Sequence, residues 1–185
     1  MASVIKTDTR QHAGKHVIKD EWWASHGVST IRQKLDFGDY MADGSNVSVD
    51  TKRSISEIAQ NINGRNHDRF KRECVRAKDA GYRLVVLVEN REQVEDLKGV
   101  SKWLNDHCRM CGERRAKRCS PYDNTCKCPK HGTRKPIQGP RLAKAMDTMS
   151  QRYGVEFQFC DPRETAKRIC ELLGVEYEQD ADCGA

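Results

Sequence analysis

No run of apolar residues approaches the roughly 20 that a membrane helix needs, and the opening residues Met1 to Asp8 lack the apolar stretch of a secretory signal. The sequence contains no internal repeat, Walker loop, dinucleotide-binding glycine fingerprint or Ser/His/Asp arrangement. Those absences exclude the common nucleotide-binding and acyl-transfer classes. They lead to the expectation of a soluble, cytoplasmic chain with no membrane partner. Without a secretory context, its nine cysteines are a poor disulfide framework. Charge is what the sequence has: 33 Lys+Arg against 27 Asp+Glu, a net of +6, with 32% charged and 37% hydrophobic residues. At 185 residues the chain is long enough for one domain with a proper core and an insertion. The net charge permits a polyanionic partner, and its distribution says more than its sum.

The apolar patterning predicts an α/β domain with a mixed central sheet flanked by helices. Residues 4–7 read as a strand, and 17–26 as a helix anchored by Trp22 and Trp23. Residues 34–41 and 46–52 read as the arms of a hairpin turning at Ala42-Asp43-Gly44-Ser45. Ser54 opens a helix with Glu57 at capping-box spacing and Ile55, Ile58 and Ile62 as its apolar stripe. A second helix over 66–80 stops at Gly81, with Phe70, Cys74 and Ala77 inward and arginines along another face. Leu84-Val85-Val86-Leu87-Val88 has the continuous apolar character of a strand buried on both sides, ending at Glu89. A helix over 140–153, a strand over 155–160 and a helix over 162–173 follow. These divide the chain into an N-terminal part (1–101), a Cys/His-rich basic insertion (102–136), a helix-strand-helix part (137–174) and an acidic tail (175–185) expected to fray. Cys74, Cys160 and Cys170 read as small core residues. Trp103 reads as a packing anchor, and His12, His16 and His26 show no partner at catalytic spacing.

Asp39, Asp50 and Lys52 carry the most chemistry. Side chains at i and i+2 of a strand share a face, so Asp50 and Lys52 stand about 7 Å apart along the backbone. Asp39, after Phe37-Gly38, can meet Asp50 across the hairpin. Two converging carboxylates make a hard oxygen site suited to Mg²⁺ or Mn²⁺. A lysine beside it can orient a water, while the metal offsets charge developing on phosphorus. An Asp-x-Lys in a strand is also common as a solvated edge pair. The neighbouring Gly-Asp and the downstream Arg65, Arg69, Arg72 and Arg76, placed where a phosphate backbone would run, favour the chemical reading.

The succession Asp8-Thr9-Arg10, Gly38-Asp39-Tyr40, Val49-Asp50-Thr51-Lys52-Arg53-Ser54-Ile55-Ser56-Glu57 and Asn63-Gly64-Arg65 resembles the nuclease domain of the xeroderma pigmentosum group F (XPF) family. That family belongs to the PD-(D/E)XK, restriction-endonuclease-like superfamily. The similarity continues through Leu84 to Glu89 and Arg163-Glu164-Thr165-Ala166. The resemblance implies a restriction-endonuclease-like fold and a structure-selective, Mg²⁺- or Mn²⁺-dependent DNA endonuclease acting in DNA repair or recombination. By the same resemblance the catalytic residues are Asp39, Asp50 and Lys52, Asp8 is an additional metal ligand, and Arg10 and Arg65 contact phosphate or structure. The family's Glu-Arg-Lys is Asp-Thr-Lys here, the acid after the lysine falls at Glu57, and Gln11 replaces the acid after Asp-x-Arg. Glu57 has a local explanation as the capping partner of Ser54. Relatives often carry a helix-hairpin-helix pair used for dimerisation, so both homodimer and heterodimer remain open.

Five cysteines fall within 21 residues, in a segment with ten Lys/Arg against three Asp/Glu and almost no aliphatics. Such a segment needs a staple other than a core. Cys108-x-x-Cys111 and Cys126-x-Cys128-x-x-His131 have the spacing of a structural tetrahedral Zn²⁺ site. Cys119 and His107 are spare candidates, so four ligands are not singled out. Two functional alternatives accompany the nuclease: a non-catalytic DNA-junction-binding module or nuclease partner subunit, and a zinc-dependent DNA-binding regulator working through the insertion. A bacterial or phage setting suits the small architecture.

Overall fold

The computed structural model describes residues 4–11, 14, 16–111 and 136–179. Its elements are β1 (Val4–Asp8), α1 (Val17–Ser25), β2 (Ser29–Gln33), β3 (Tyr40–Ala42), β4 (Val47–Lys52), α2 (Ile55–Asn63) and α3 (His67–Asp79). Then come β5 (Arg83–Glu89), α4 (Leu97–Lys102), α5 (Asp106–Arg109), α6 (Gly139–Tyr153), β6 (Glu156–Cys160) and α7 (Thr165–Leu173). The six strands form one mixed sheet in the order β2-β1-β3-β4-β5-β6. β3 is antiparallel to both neighbours, and every other pairing is parallel.

Strand periodicity divides the core between two faces. Val86 and Val88 of β5 join Ile58, Ile62, Phe70, Cys74, Leu142 and Met146 from α2, α3 and α6. Val85 and Leu87, one residue out of phase, join Trp23, Val49, Ile169 and Leu173 on the side of α1 and α7. The consequence for β4 is decisive. Val47 and Val49 fill the α1/α7 side, so Asp50 and Lys52 project toward α2 and α3. Ser54 caps α2 by accepting from the Glu57 N–H at 3.1 Å. Glu57 reaches back to the Arg53 N–H at 2.9 Å, one residue earlier than a reciprocal capping box would place it. Among the described residues no helix is long and apolar enough to cross a membrane.

The α/β expectation and its buried Leu84–Val88 strand agree with the structure, which differs at three local expectations and adds a strand, β2. The first hairpin arm is only Tyr40–Ala42, because 34–39 run irregularly into the turn at Gly38. β2 escaped notice because all five of its residues are exposed and carry no alternation; it is an edge strand paired to β1 alone. The last helix begins at Thr165, leaving Arg163 and Glu164 in the preceding turn. The start of the acidic tail is docked: Val175 is buried, Tyr177 packs edge-on against Trp22, and the Glu178 N–H donates to His26 O at 3.0 Å.

Candidate active site

β1 and β4 run in the same direction with β3 antiparallel between them. Their carboxyl ends and the start of β3 therefore meet at one edge of the sheet, where open α/β sheets bind ligands. A cleft of about 420 Å³ lies there. Asp50 and Lys52 form its floor, 4% and 8% exposed. Lys52 Nζ donates to Asp50 Oδ1 at 2.7 Å and lies 2.6 Å from Oδ2, with the Phe70 ring 5.7 Å away. Oδ2 is buried and accepts no hydrogen bond of proper geometry among the described residues. Burial pushes Asp50 above its ordinary value; Lys52 opposes this, while Asp39 and Glu73 add to it. For Lys52, burial works to lower its pKa, but the charge and hydrogen bond of Asp50 outweigh it and hold the ammonium above its ordinary value. Lys52 is therefore a proton donor in the resting site.

Asp39 precedes β3, where its N–H donates to Val49 O at 2.7 Å. Its Oδ2 accepts from the Thr51 N–H at 2.9 Å and the Thr51 hydroxyl at 2.7 Å. The bend that delivers Asp39 to β4 is made at Gly38, with φ at +68°. A Cβ there would collide with Ser48 Oγ, so a left-handed backbone and close approach both require glycine. The Gly38 N–H is held by Glu73 Oε1 of α3 at 3.0 Å. Asp8, 3% exposed at the end of β1, accepts from the Arg10 guanidinium. Arg10 also donates to Leu35 O at 2.8 Å, which makes it a structural brace across the cleft mouth.

Asp8, Arg10, Asp39, Asp50, Lys52, Arg69 and Arg76 thus come together around one cleft. Arg72 does not line it, and Arg65 lies beyond the far end of α2, against a separate depression. Sequence reasoning missed Glu73, hidden within a helix read as an arginine stripe; its spacing of four from Arg69 was the available signal. His16 has no partner at catalytic spacing in the sequence, yet it lines the cleft from the start of α1. α1 is fastened there by the buried Lys19–Glu89 ion pair at 2.5 Å. Burial lowers the His16 pKa, with Lys19 adding to the effect. Five carboxylates face five Lys/Arg side chains in the lining, so the cleft is formally neutral.

Among the described residues, no three His, Cys, Asp or Glu side chains are gathered into a metal-ligand group. Asp8, Asp39 and Asp50 are each turned to a protein donor. The donor set is nonetheless all carboxylate, the chemistry that suits a hard divalent cation, and Asp50 Oδ2 is buried with the Lys52 ammonium beside it as its charge partner. In the insertion, Cys108 and Cys111 are both buried, and the Cys111 N–H donates to Cys108 O at 3.2 Å in a tight knuckle. Cys119, Cys126, Cys128 and His131 lie outside the described residues. Cys74 is core, as expected, with burial pushing its thiol up to about 12. Neither the protein-family models nor the curated proteins compared with this chain give a match.

Proposed function

We infer that the chain is a divalent-metal-dependent DNA endonuclease of restriction-endonuclease-like fold, selective for branched, flap or splayed DNA. The observation carrying this reading is the buried contact of Lys52 with Asp50 on a strand end, beside Asp39 and below the arginines of α3. A lysine and an acid buried together at the floor of a cleft, with a second acid beside them, are costly for stability alone and are suited to charge development on a phosphoryl group. Asp50 and Asp39, with Asp8, would hold Mg²⁺ or Mn²⁺, which supplies a more acidic water and neutralises charge on phosphorus. Lys52 hydrogen-bonds the attacking water or a non-bridging oxygen as a donor. Arg69 and Arg76 hold the backbone on the α3 side, and Glu73 keeps Gly38-Asp39 in place. Cys108 and Cys111 provide the first half of a structural zinc site that folds the basic insertion. A cytoplasmic, bacterial or phage setting in repair or recombination suits such an activity.

One observation favours a second reading, a non-catalytic junction-binding module or partner subunit: the three aspartates are already satisfied in part by protein donors. The two are separated by incubating the protein with labelled duplex, single-stranded, splayed-arm and flap DNA in Mg²⁺, Mn²⁺ or EDTA. Metal-dependent cutting lost in Asp50→Ala is the expected result. Tight binding without cutting in any metal establishes the binding module.

A further inference from the structure

The cleft is not isolated. A second depression of about 490 Å³ shares Lys52, Arg53, Glu57 and Arg69 with it. A third of about 300 Å³ shares Ser56 and Gln60 with the second and ends at Arg65, Asn105 and His107. Each has the volume that takes one drug-sized molecule, the scale of a nucleotide rather than of a duplex. The three follow α2 from its capped start to the residues beyond its end. The Arg65 and Arg69 side chains make no hydrogen bond or ion pair among the described residues, and both residues are exposed. Arg53 is tied only loosely, 3.8 Å from Glu57 and 72% exposed. Three guanidiniums thus stand along the line, in the form best suited to phosphate. No Phe, Tyr or Trp ring lines the second or third depression among the described residues, and the His107 imidazole stands only at the far end of the third. Along α2 recognition therefore falls on the sugar-phosphate backbone.

The geometry points to a single continuous track for one unpaired nucleic-acid strand, leading from the Asp50–Lys52 floor along α2 to Arg65. This rests on the nuclease reading and names what its cleft receives: a single-stranded arm, held by its phosphates. It also gives Arg65 a role that the catalytic cleft does not. α2 has nine residues, about 14 Å at the helical rise, the length over which the strand would run beyond the cleft.

The test measures binding by fluorescence anisotropy in EDTA, with single-stranded oligonucleotides of about 2 to about 10 nucleotides and duplexes of matching length. Single-strand affinity should rise with length and level off within the series, once the cleft and track are filled. Arg65→Glu should cut affinity for the longer single strands at least about tenfold, reduce the salt slope by about 0.7, and leave the shortest ones unaffected. Arg65→Lys should retain most of the binding. Lys167→Glu, the same charge change on α7 across the sheet, should change nothing. Equal loss in Lys167→Glu and Arg65→Glu, or an Arg65→Glu effect confined to duplex, overturns the track. So does an unchanged length dependence in Arg65→Glu while wild type still binds and cuts DNA, an outcome that spares the nuclease reading. Failure of wild type to bind any nucleic acid overturns both.

Discussion

Removing either half of the Asp50–Lys52 pair should destabilise the protein with opposite dependence on pH. Both groups are at least nine-tenths buried, and deleting one partner of such a pair costs about 3–5 kcal/mol, because the other charge is left uncompensated. In Asp50→Asn the remaining group is an ammonium. It loses the contact that holds its pKa up, and burial then takes it below 10.5. The deficit of this variant against wild type should be full at neutral pH and shrink as pH rises toward 10.5. In Lys52→Met the remaining group is Asp50, whose pKa already exceeds 3.8 and now loses its lowering partner. The protonated acid is the form the fold tolerates. Here the deficit should be small in acid and grow as pH rises through that raised value. Replacing both, as in Asp50→Leu/Lys52→Met, should recover most of the loss. Urea unfolding at a series of pH values reads all three. Deficits of the same pH slope in the two single variants would refute the assignment of a buried, mutually dependent pair.

Gly38→Ala should cost about 2–4 kcal/mol from left-handed backbone and overpacking together, and should abolish metal-dependent cutting with the loss of Asp39 placement; denaturant melts and cleavage assays check this. Glu73→Ala, which strips the Gly38 N–H of its acceptor, should cost about 1 kcal/mol and weaken Mn²⁺ binding by calorimetry, whereas Glu73→Gln keeps the acceptor and should do so less. Purified protein should carry zinc by elemental analysis, with Cys108→Ala and Cys111→Ala each losing it; zinc content unchanged in both variants would remove the insertion site.

Much of the fold was legible because its strongest signals are long and periodic: the Leu84–Val88 run, the Ile55/Ile58/Ile62 stripe and the caps around α2. The i, i+2 rule placed Asp50 and Lys52 on one face, and the structure brings them into contact. β2 was illegible because an edge strand exposed along its length owes its place to backbone pairing with β1, which leaves no trace in side-chain pattern. Glu73 and His16 reach the cleft through tertiary packing of α3 and α1; Glu73 had only its spacing of four from Arg69 to announce it, and His16 had no such neighbour. Arg65 was grouped with the other arginines by charge, although it lines a depression other than the cleft.

The central claim, that the Asp50–Lys52 floor performs phosphodiester hydrolysis, is tested most directly by single-turnover cleavage of labelled splayed-arm DNA in Mg²⁺, with binding measured in parallel. Lys52→Met should bind the DNA as wild type does and cut it about 10²–10³-fold more slowly, the effect of losing one preorganised donor. An unchanged rate in Lys52→Met, with DNA still bound and cut, would contradict it.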